Sequence, residues 1–233
     1  MASSPSTVTT LPGDPPVSIR LRASARARRI TLRVSALDGR VTLTRPAATP
    51  AREALAFAAE KADWLRAQLA GRLPLRRPAL GAAIPVGGEP HVITAGAPGL
   101  GAGSLSVRPD RVIGPQVAAI LKQAAGARIT AAVERHAAAL EVAPRRITLR
   151  DTRSRWGSCS GRGDLMFSWR LAMAPPDVLD YVAAHEVAHL VRMDHSAVFW
   201  AVCADLCPAW RRHRDWLRRE GAGLHAWSFG GED

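Results

Sequence analysis

The segment from His185 to His189, His-Glu-Val-Ala-His, constrains the fold more than any other feature of the chain. Residues 180–191 contain neither glycine nor proline and favour a helix. On a helix, residues four positions apart lie on one face, so His185 and His189 can bind one metal ion together. Glu186 lies about 100° further round that helix, where its carboxylate can accept a proton from water beside the metal. This is the HExxH pattern of zinc-dependent hydrolases.

A polar stripe on a solvated helix is the alternative interpretation of this segment. The same helix, however, carries the apolar residues Val182, Val187, Leu190 and Val191, which cover most of its circumference. A buried cluster of two histidines and a glutamate without a ligand would carry a desolvation cost. The pattern therefore favours a metal site.

A catalytic zinc ion needs a third protein ligand and keeps its fourth position for water. His195 is the nearest candidate, but on a continuous helix it would lie about 15 Å along the axis from His185. The sequence therefore predicts that the chain turns back before His195. Asp205, on the following helix, is the alternative third ligand.

The predicted reversal requires the helix to end between residues 190 and 193. Arg192 occupies the position at which a related zinc motif has a glycine. Asp194 belongs to a residue type that tolerates left-handed backbone, so we expect it to make the turn.

The length and composition bound the remaining possibilities. A chain of 233 residues can bury one good core, with a small second lobe. It has no apolar run of the 18 or more residues that a membrane span needs. Residues 1–17 lack the basic start and apolar stretch of a signal peptide, and they are expected to form a disordered tail. Three cysteines give no disulfide framework, which favours a cytoplasmic location.

The charge is strongly positive, at a formal +12. Between residues 19 and 80 there are fourteen basic side chains against four acidic ones. This N-terminal excess favours an anionic partner such as nucleic acid. A solvated basic face without a specific ligand is the alternative, because the stretch has few aromatic residues on which bases could stack.

The N-terminal half shows the pattern of a small β-rich subdomain. Residues 28–46 alternate apolar and polar side chains on either side of Asp38-Gly39, which predicts a β-hairpin. Residues 50–70 predict an amphipathic helix ended by Gly71, and residues 71–83 a linker. One or two further strands are expected within 84–112.

The C-terminal half predicts a long helix over about 114–140 and then two strands, joined near Gly161 to Gly163. The motif helix follows, then a helix that starts at Ser196 and is broken at Pro208. An α+β fold is expected, in which a zincin-like metallopeptidase core follows an N-terminal hairpin and helix subdomain. Residues 163–171 are expected to form the edge strand beside the substrate cleft. The sequence predicts a tail at residues 1–17, a basic subdomain at 18–112, a catalytic domain at 113–220 and a C-terminal tail at 221–233.

Three segments together resemble the YgjP-like family of predicted metal-dependent hydrolases, relatives of the SprT-like and WLM peptidase domains. They are SRWGSCSGRGDLMFSWRLAMAP, YVAAHEVAHL and DHSAVFW. The resemblance implies a zincin-like fold that holds one zinc ion through three histidines, with Glu186 as the general base. The implied ligands are His185, His189 and His195. The chain departs from the family at Ser168, where asparagine is usual.

The stretch from Arg155 to Cys159 has two interpretations. Arg155, Ser158 and Cys159 could stabilise an oxyanion or a substrate phosphate near the metal. Alternatively, a tight glycine turn supports Trp156 in the core. Cys159 is not favoured as a nucleophile, because the HExxH segment already supplies a complete hydrolytic apparatus.

Three further residues have a functional and a packing interpretation. Tyr181 lies one turn before His185, where it could either support that histidine or simply pack. Cys203 and Cys207 share a helix face and could bind metal, but small buried cysteines more often pack.

The first functional hypothesis is a zinc-dependent hydrolase, specifically a metallopeptidase that acts on polypeptides. The second keeps the metal but takes nucleotides as substrate, as a nucleoside triphosphate pyrophosphatase. The absence of a Walker-type phosphate loop counts against that alternative. The third is a DNA-associated protein whose metal is structural.

Overall fold

The computed structural model describes residues 6–35, 39–70 and 74–230. Within them the chain forms two compact units, Met1–Pro74 and Leu75–Asp233. The expected boundary at residues 112 and 113 therefore differs from the observed one, because the strands within 84–112 share a core with the C-terminal half. The mixture of small sheets and helices confirms the α+β class.

A four-stranded sheet forms the first unit, with strand order β1-β2-β4-β3. β2 and β4 are parallel, and the outer pairs are antiparallel. The strands are β1 (Ser6–Leu11), β2 (Val17–Ser24), β3 (Thr31–Val34) and β4 (Val41–Pro46). Alternation places Ile19 and Leu43 fully in the core and Arg20, Arg22 and Arg33 on the exposed face. The sheet therefore has an exposed face that carries basic side chains. That this face binds an anionic partner stays a prediction.

Two helices, α1 (Ala51–Glu60) and α2 (Ala62–Ala70), cover the apolar face of this sheet. The prediction of a single helix over residues 50–70 is wrong. The helix is interrupted at Lys61, whose ψ of 14° departs from helical values while its amide still bonds to the preceding turn. Gly71, the predicted helix terminator, lies outside the described residues.

The N-terminal segment differs from the expected disordered tail. Residues 6–11 form β1, which pairs along its whole length with β2. Paired backbone amides and the buried Leu11 stabilise this strand. The hairpin predicted over 28–46 is confirmed as β3 and β4, although part of its turn, including Asp38, lies outside the described residues.

The second unit begins with a four-stranded sheet, order β5-β6-β8-β7, where one or two strands were predicted. Its strands are β5 (Ala83–Val86), β6 (Glu89–Ala95), β7 (Gly99–Gly101) and β8 (Ser104–Val107). Gly87 and Gly88, with φ of 62° and 83°, close the first hairpin. The long helix α3 (Ile113–Ala139) follows and confirms the helix predicted over about 114–140.

A three-stranded sheet with order β10-β11-β9 follows α3. Its strands are β9 (Arg146–Arg150), β10 (Gly157–Cys159) and β11 (Asp164–Ser168). The prediction of an edge strand over 163–171 is wrong, because β11 pairs on both sides and buries Leu165 and Phe167 completely. The edge strand beside the motif helix is β10.

The C-terminal part contains a 3₁₀ helix at Trp169–Met173 and three α-helices. These are α4 (Pro176–Val191), α5 (Ala197–Leu206) and α6 (Trp210–His225). The expected tail from residue 221 is instead packed, since Trp227 and Phe229 are buried. The guanidinium of Arg170 donates hydrogen bonds to the carbonyls of Leu224 and Trp227 at 2.9 and 2.8 Å. Among the described residues, no helix is long and apolar enough to cross a membrane.

Candidate metal centre

His185 and His189 lie one turn apart on α4, with ring centroids 4.9 Å apart. α4 is surrounded by protein on most sides, because its Val182, Val187 and Ala188 are buried. The helix therefore cannot rotate without exposing apolar surface. Packing fixes the direction of both imidazoles.

His195 comes back to the same point from beyond the end of α4. The helix stops at Val191, and Arg192 adopts an extended conformation with φ of −140° and ψ of 110°. Nε2 of His195 then lies 3.2 Å from Nε2 of His185. Side-chain nitrogen atoms of all three histidines lie within 4.8 Å of one another, so the predicted reversal occurs.

The reversal is made differently from the prediction for Asp194. Among the described residues, the only non-glycine with positive φ is Glu141, so Asp194 does not use left-handed backbone. Its Oδ1 instead accepts a hydrogen bond from the amide of Ser196 at 3.0 Å. Ser196 in turn caps α5. The turn was predicted to use left-handed backbone at Asp194. It is stabilised instead by a hydrogen bond to the Asp194 side chain.

Phe199 lies beneath the three histidines. It is fully buried, and its ring stacks on His189 with centroids 4.4 Å apart. The centroids of His185 and His195 are each 4.9 Å from that of Phe199. Trp200, the next residue, lies 5.6 Å and 5.8 Å from the same two rings. An aromatic platform from α5 therefore holds the histidines from one side.

His185 and His189 are held in the neutral form that binds metals. Nδ1 of His189 lies 3.0 Å from the carbonyl oxygen of Arg192, which can only accept, so Nδ1 carries the proton and Nε2 keeps its lone pair. Burial, helped by the neighbouring histidines, lowers the pKa of His185 to about 3. Burial likewise lowers the pKa of His189. Neutral imidazoles are ready to accept a cation.

The donor set fits a tetrahedral zinc ion. Two nitrogens bound to one zinc at about 2.0–2.1 Å would lie roughly 3.3 Å apart, close to the 3.2 Å between His185 and His195. Asp205, the alternative ligand, is exposed and lies outside this cluster. Among the residues that the structure describes, these three histidines form the one group of its kind.

Glu186 lies beside the histidines and is only 5% exposed. Burial raises the pKa of its carboxyl group to about 8, an effect that the charge of Arg155 opposes. Its side chain lies directly against the backbone of Gly157. A Cβ atom on Gly157 would lie 2.6 Å from Cγ of Glu186 and closer still to Oε1. Gly157 is therefore needed to admit the glutamate.

Sequence reasoning missed this function of Gly157. It considered a glycine turn at this position, whereas Gly157 begins β10 and its φ is not positive. A glycine inside a strand often marks the close approach of another group, and that signal could have identified it. The close approach is to the glutamate of the motif.

The other candidates around β10 have different surroundings. Arg155 is exposed and acts on Glu186 through its charge, and Ser158 is half-buried on the edge strand. Burial and the charge of Glu186 raise the pKa of the Cys159 thiol to about 11, which disfavours a thiolate nucleophile. Trp156 packs against the core, with its ring 4.8 Å from that of His225.

Tyr181, Cys203 and Cys207 are all buried. The Tyr181 ring centroid lies 6.0 Å from that of His185, and burial raises the pKa of its hydroxyl group. Burial also raises the pKa of the Cys203 thiol to about 12. Within the described residues, neither cysteine belongs to a group that could hold a metal ion, which favours the packing interpretation.

A cavity of about 300 Å³ opens next to His185 and Glu186. Residues of α4 and of α6 form its walls, together with Trp156 and Gly157. Sequence reasoning did not single out Arg214 and Arg218, which α6 contributes to this cavity. The candidate metal centre therefore has an adjoining space of the size of a side chain.

A family model described as a YgjP-like metallopeptidase domain matches residues 28–220. The chain therefore belongs to the YgjP-like family, as its motifs predicted. This membership supports a metal-dependent hydrolase. No curated protein and no solved structure matches the chain.

Proposed function

We propose that this protein is a zinc-dependent metallopeptidase with one zinc ion per chain, bound by His185, His189 and His195. The convergence of three imidazoles beside a buried glutamate is the observation that carries the proposal. Bound zinc would polarise the scissile carbonyl and make water more acidic. Three histidines leave a fourth coordination position open for this chemistry.

Glu186 is the proposed general base. Its carboxyl group adjoins the histidines without belonging to their cluster. Bound zinc would favour its ionised form, which can accept a proton from the attacking water. The absence of a side chain at Gly157 leaves room for this carboxyl group. The same carboxyl group can then return the proton to the departing amine. Arg155, whose charge already acts on Glu186, is placed to influence the charge that develops nearby.

The edge strand β10 supports a polypeptide as substrate. In the part of the chain that the structure describes, it pairs with β11 alone, and it carries Gly157, Ser158 and Cys159 beside α4. The free edge of a sheet can bind an extended peptide through backbone hydrogen bonds. Together with α3 and the motif helix α4, this sheet corresponds to the proposed zincin-like core.

The test compares wild type with Glu186→Gln, using zinc-loaded protein and a fluorescently labelled unfolded polypeptide. We expect the variant to lose at least about 100-fold in turnover while it retains one zinc ion per chain. Glu134→Gln is the matched control, since Glu134 is exposed on α3. A panel of nucleoside triphosphates is assayed in parallel. Turnover of nucleotides but not polypeptides would overturn the peptidase assignment.

A further inference from the structure

The cavity beside the candidate metal centre has a distinct chemical character, and we call it the arginine pocket. Its positive side is formed by Arg214 and Arg218 of α6. Val182, Trp156 and Leu217 supply apolar wall. Among the described residues, Glu186 is the only acidic residue that lines it, and its side chain lies against Gly157.

The positive charge of the pocket is poorly balanced by the protein. In the part of the chain that the structure describes, no carboxylate forms an ion pair with Arg214. Arg218 lies 3.8 Å from Asp215, but both side chains are more than half exposed, so this pair contributes little. Two guanidinium groups at one small cavity therefore remain available to an anion.

Aromatic contacts hold Arg214 close to the metal centre. Its guanidinium lies over Trp200, 5.2 Å from the ring centroid. Trp200 stacks on Trp210 at 4.2 Å and also lies 5.6 Å from His185. Because Trp200 contacts both groups, the charge of Arg214 is fixed near the position where a substrate would react.

The size of the pocket limits the ligand. A volume of about 300 Å³ is at the small end of the range for ligand sites and suits one side chain. The apolar walls suit methylene groups, and the guanidinium groups suit a planar carboxylate that accepts paired hydrogen bonds. A lysine or arginine side chain would meet two like charges there.

We propose that the arginine pocket binds the carboxylate of a substrate residue that flanks the scissile bond, so that the enzyme selects acidic peptides. This inference rests on the proposed peptidase function. The carboxylate can belong to a glutamate or aspartate side chain or to the free C-terminus of the substrate. Both share the same chemistry, and the peptides below separate them.

The test uses peptides of one sequence with blocked ends and a glutamate or a glutamine at each residue flanking the cleaved bond. Mass spectrometry of the products locates that bond. We expect kcat/KM to be at least about tenfold higher for glutamate at one of the two positions. A third peptide carries glutamine there but ends in a free carboxylate. Faster cleavage of this peptide than of the glutamate peptide would assign the pocket to the C-terminus.

Substitutions connect this preference to the pocket. In the double variant Arg214→Gln with Arg218→Gln, the ratio of kcat/KM for glutamate over glutamine should fall to about one. Arg214→Glu should shift the preference toward a lysine peptide. Arg219→Gln, an exposed position on the same helix that does not line the pocket, should retain the wild-type ratio.

The outcomes separate this inference from the proposed function. Equal cleavage of glutamate and glutamine peptides, or a preference that survives in the double variant, overturns the arginine pocket and leaves the peptidase intact. If no peptide is cleaved, the peptidase fails. Calorimetry with the wild-type protein then decides the pocket, since the glutamate peptide must bind more tightly than the glutamine peptide, and only while both arginines are present.

Discussion

The two walls of the candidate site differ in how firmly the protein holds them. α4 is buried on most of its surface, and Glu186 and His189 are 5% and 8% exposed. α6 packs through Trp210 and Leu224 but presents Arg214 and Arg218 to solvent. The groups proposed for chemistry thus lie where electrostatic interactions are strong, whereas those proposed for recognition lie where water and salt weaken them.

This difference predicts which substitutions should have large effects on metal binding and turnover. A change on the buried wall alters an environment that cannot relax, because close-packed neighbours surround it. A change to Arg214 or Arg218 should weaken the proposed substrate contact and leave the fold intact, because both side chains are exposed. The following predictions use the contrast, from the largest effect to the smallest.

The largest effect is expected for His195→Ala. Removing one of three ligands should reduce zinc affinity by orders of magnitude, since the two remaining histidines form an incomplete site. The fold should persist, because the core is packed independently of the metal. Competition with a zinc chelator measures the affinity, and thermal unfolding of the metal-free protein measures the stability. Unchanged affinity would mean that His195 is not a ligand.

Gly157→Ala should lower turnover about 100-fold or more while zinc remains bound. The added Cβ atom would displace the Glu186 carboxylate, and the backbone of β10 leaves it no room. Gly161→Ala is the matched control, since a Cβ atom there meets no atom within 4 Å. Turnover and zinc content are measured on both variants. Equal activity of the two would remove Gly157 from the site.

A smaller effect should follow from salt. Raising the ionic strength from about 0.05 to 0.5 M screens exposed charges, so the preference for acidic peptides should shrink several-fold. The loss caused by Glu186→Gln should change little over the same range, because that carboxylate is buried. Initial rates with the paired peptides provide the measurement. A preference insensitive to salt would contradict the exposed character of the α6 wall.

The smallest effect is expected for Gly221→Ala. Its Cβ atom would lie 2.9 Å from Cζ2 of Trp156. The indole must then shift, and because Trp156 lines the pocket, KM should rise a few-fold. Gly126→Ala is the control within a helix, where the nearest atom is at an ordinary 3.6 Å. That control should stabilise the protein by about 0.5–1 kcal/mol. An unchanged KM for Gly221→Ala would show that Trp156 does not shape the pocket.

The same contrast explains what could be predicted from sequence. His185, Glu186 and His189 are related by helical periodicity, which is a local property, so their arrangement was accessible. The return of His195 followed from the needs of a metal site, but the Asx-type hydrogen bond of Asp194 that makes the turn did not. Tertiary packing brings Arg214 to His185 across 29 positions of sequence, and no local pattern indicates it.

The order of the strands in the sheet could not be predicted from the sequence either. Residues 163–171 and the β10 segment both have the composition of strands, and the choice of the edge depends on pairing with β9. Leu165 and Phe167 of β11 are completely buried. A strand that buries its apolar residues in this way and pairs on both sides is the central strand of the sheet. The approach of Glu186 to Gly157 also depends on tertiary packing, so the sequence did not indicate that this glycine makes room for the glutamate.

The central claim is that three histidines bind one zinc ion beside a carboxylate that does not bind it. A crystal structure of the zinc-loaded protein, with anomalous data at the zinc absorption edge, tests it directly. We expect one anomalous peak about 2.0–2.1 Å from a nitrogen of each of His185, His189 and His195, with the Glu186 carboxylate outside that distance. A peak elsewhere, or one bound by Asp205 in place of His195, would contradict it.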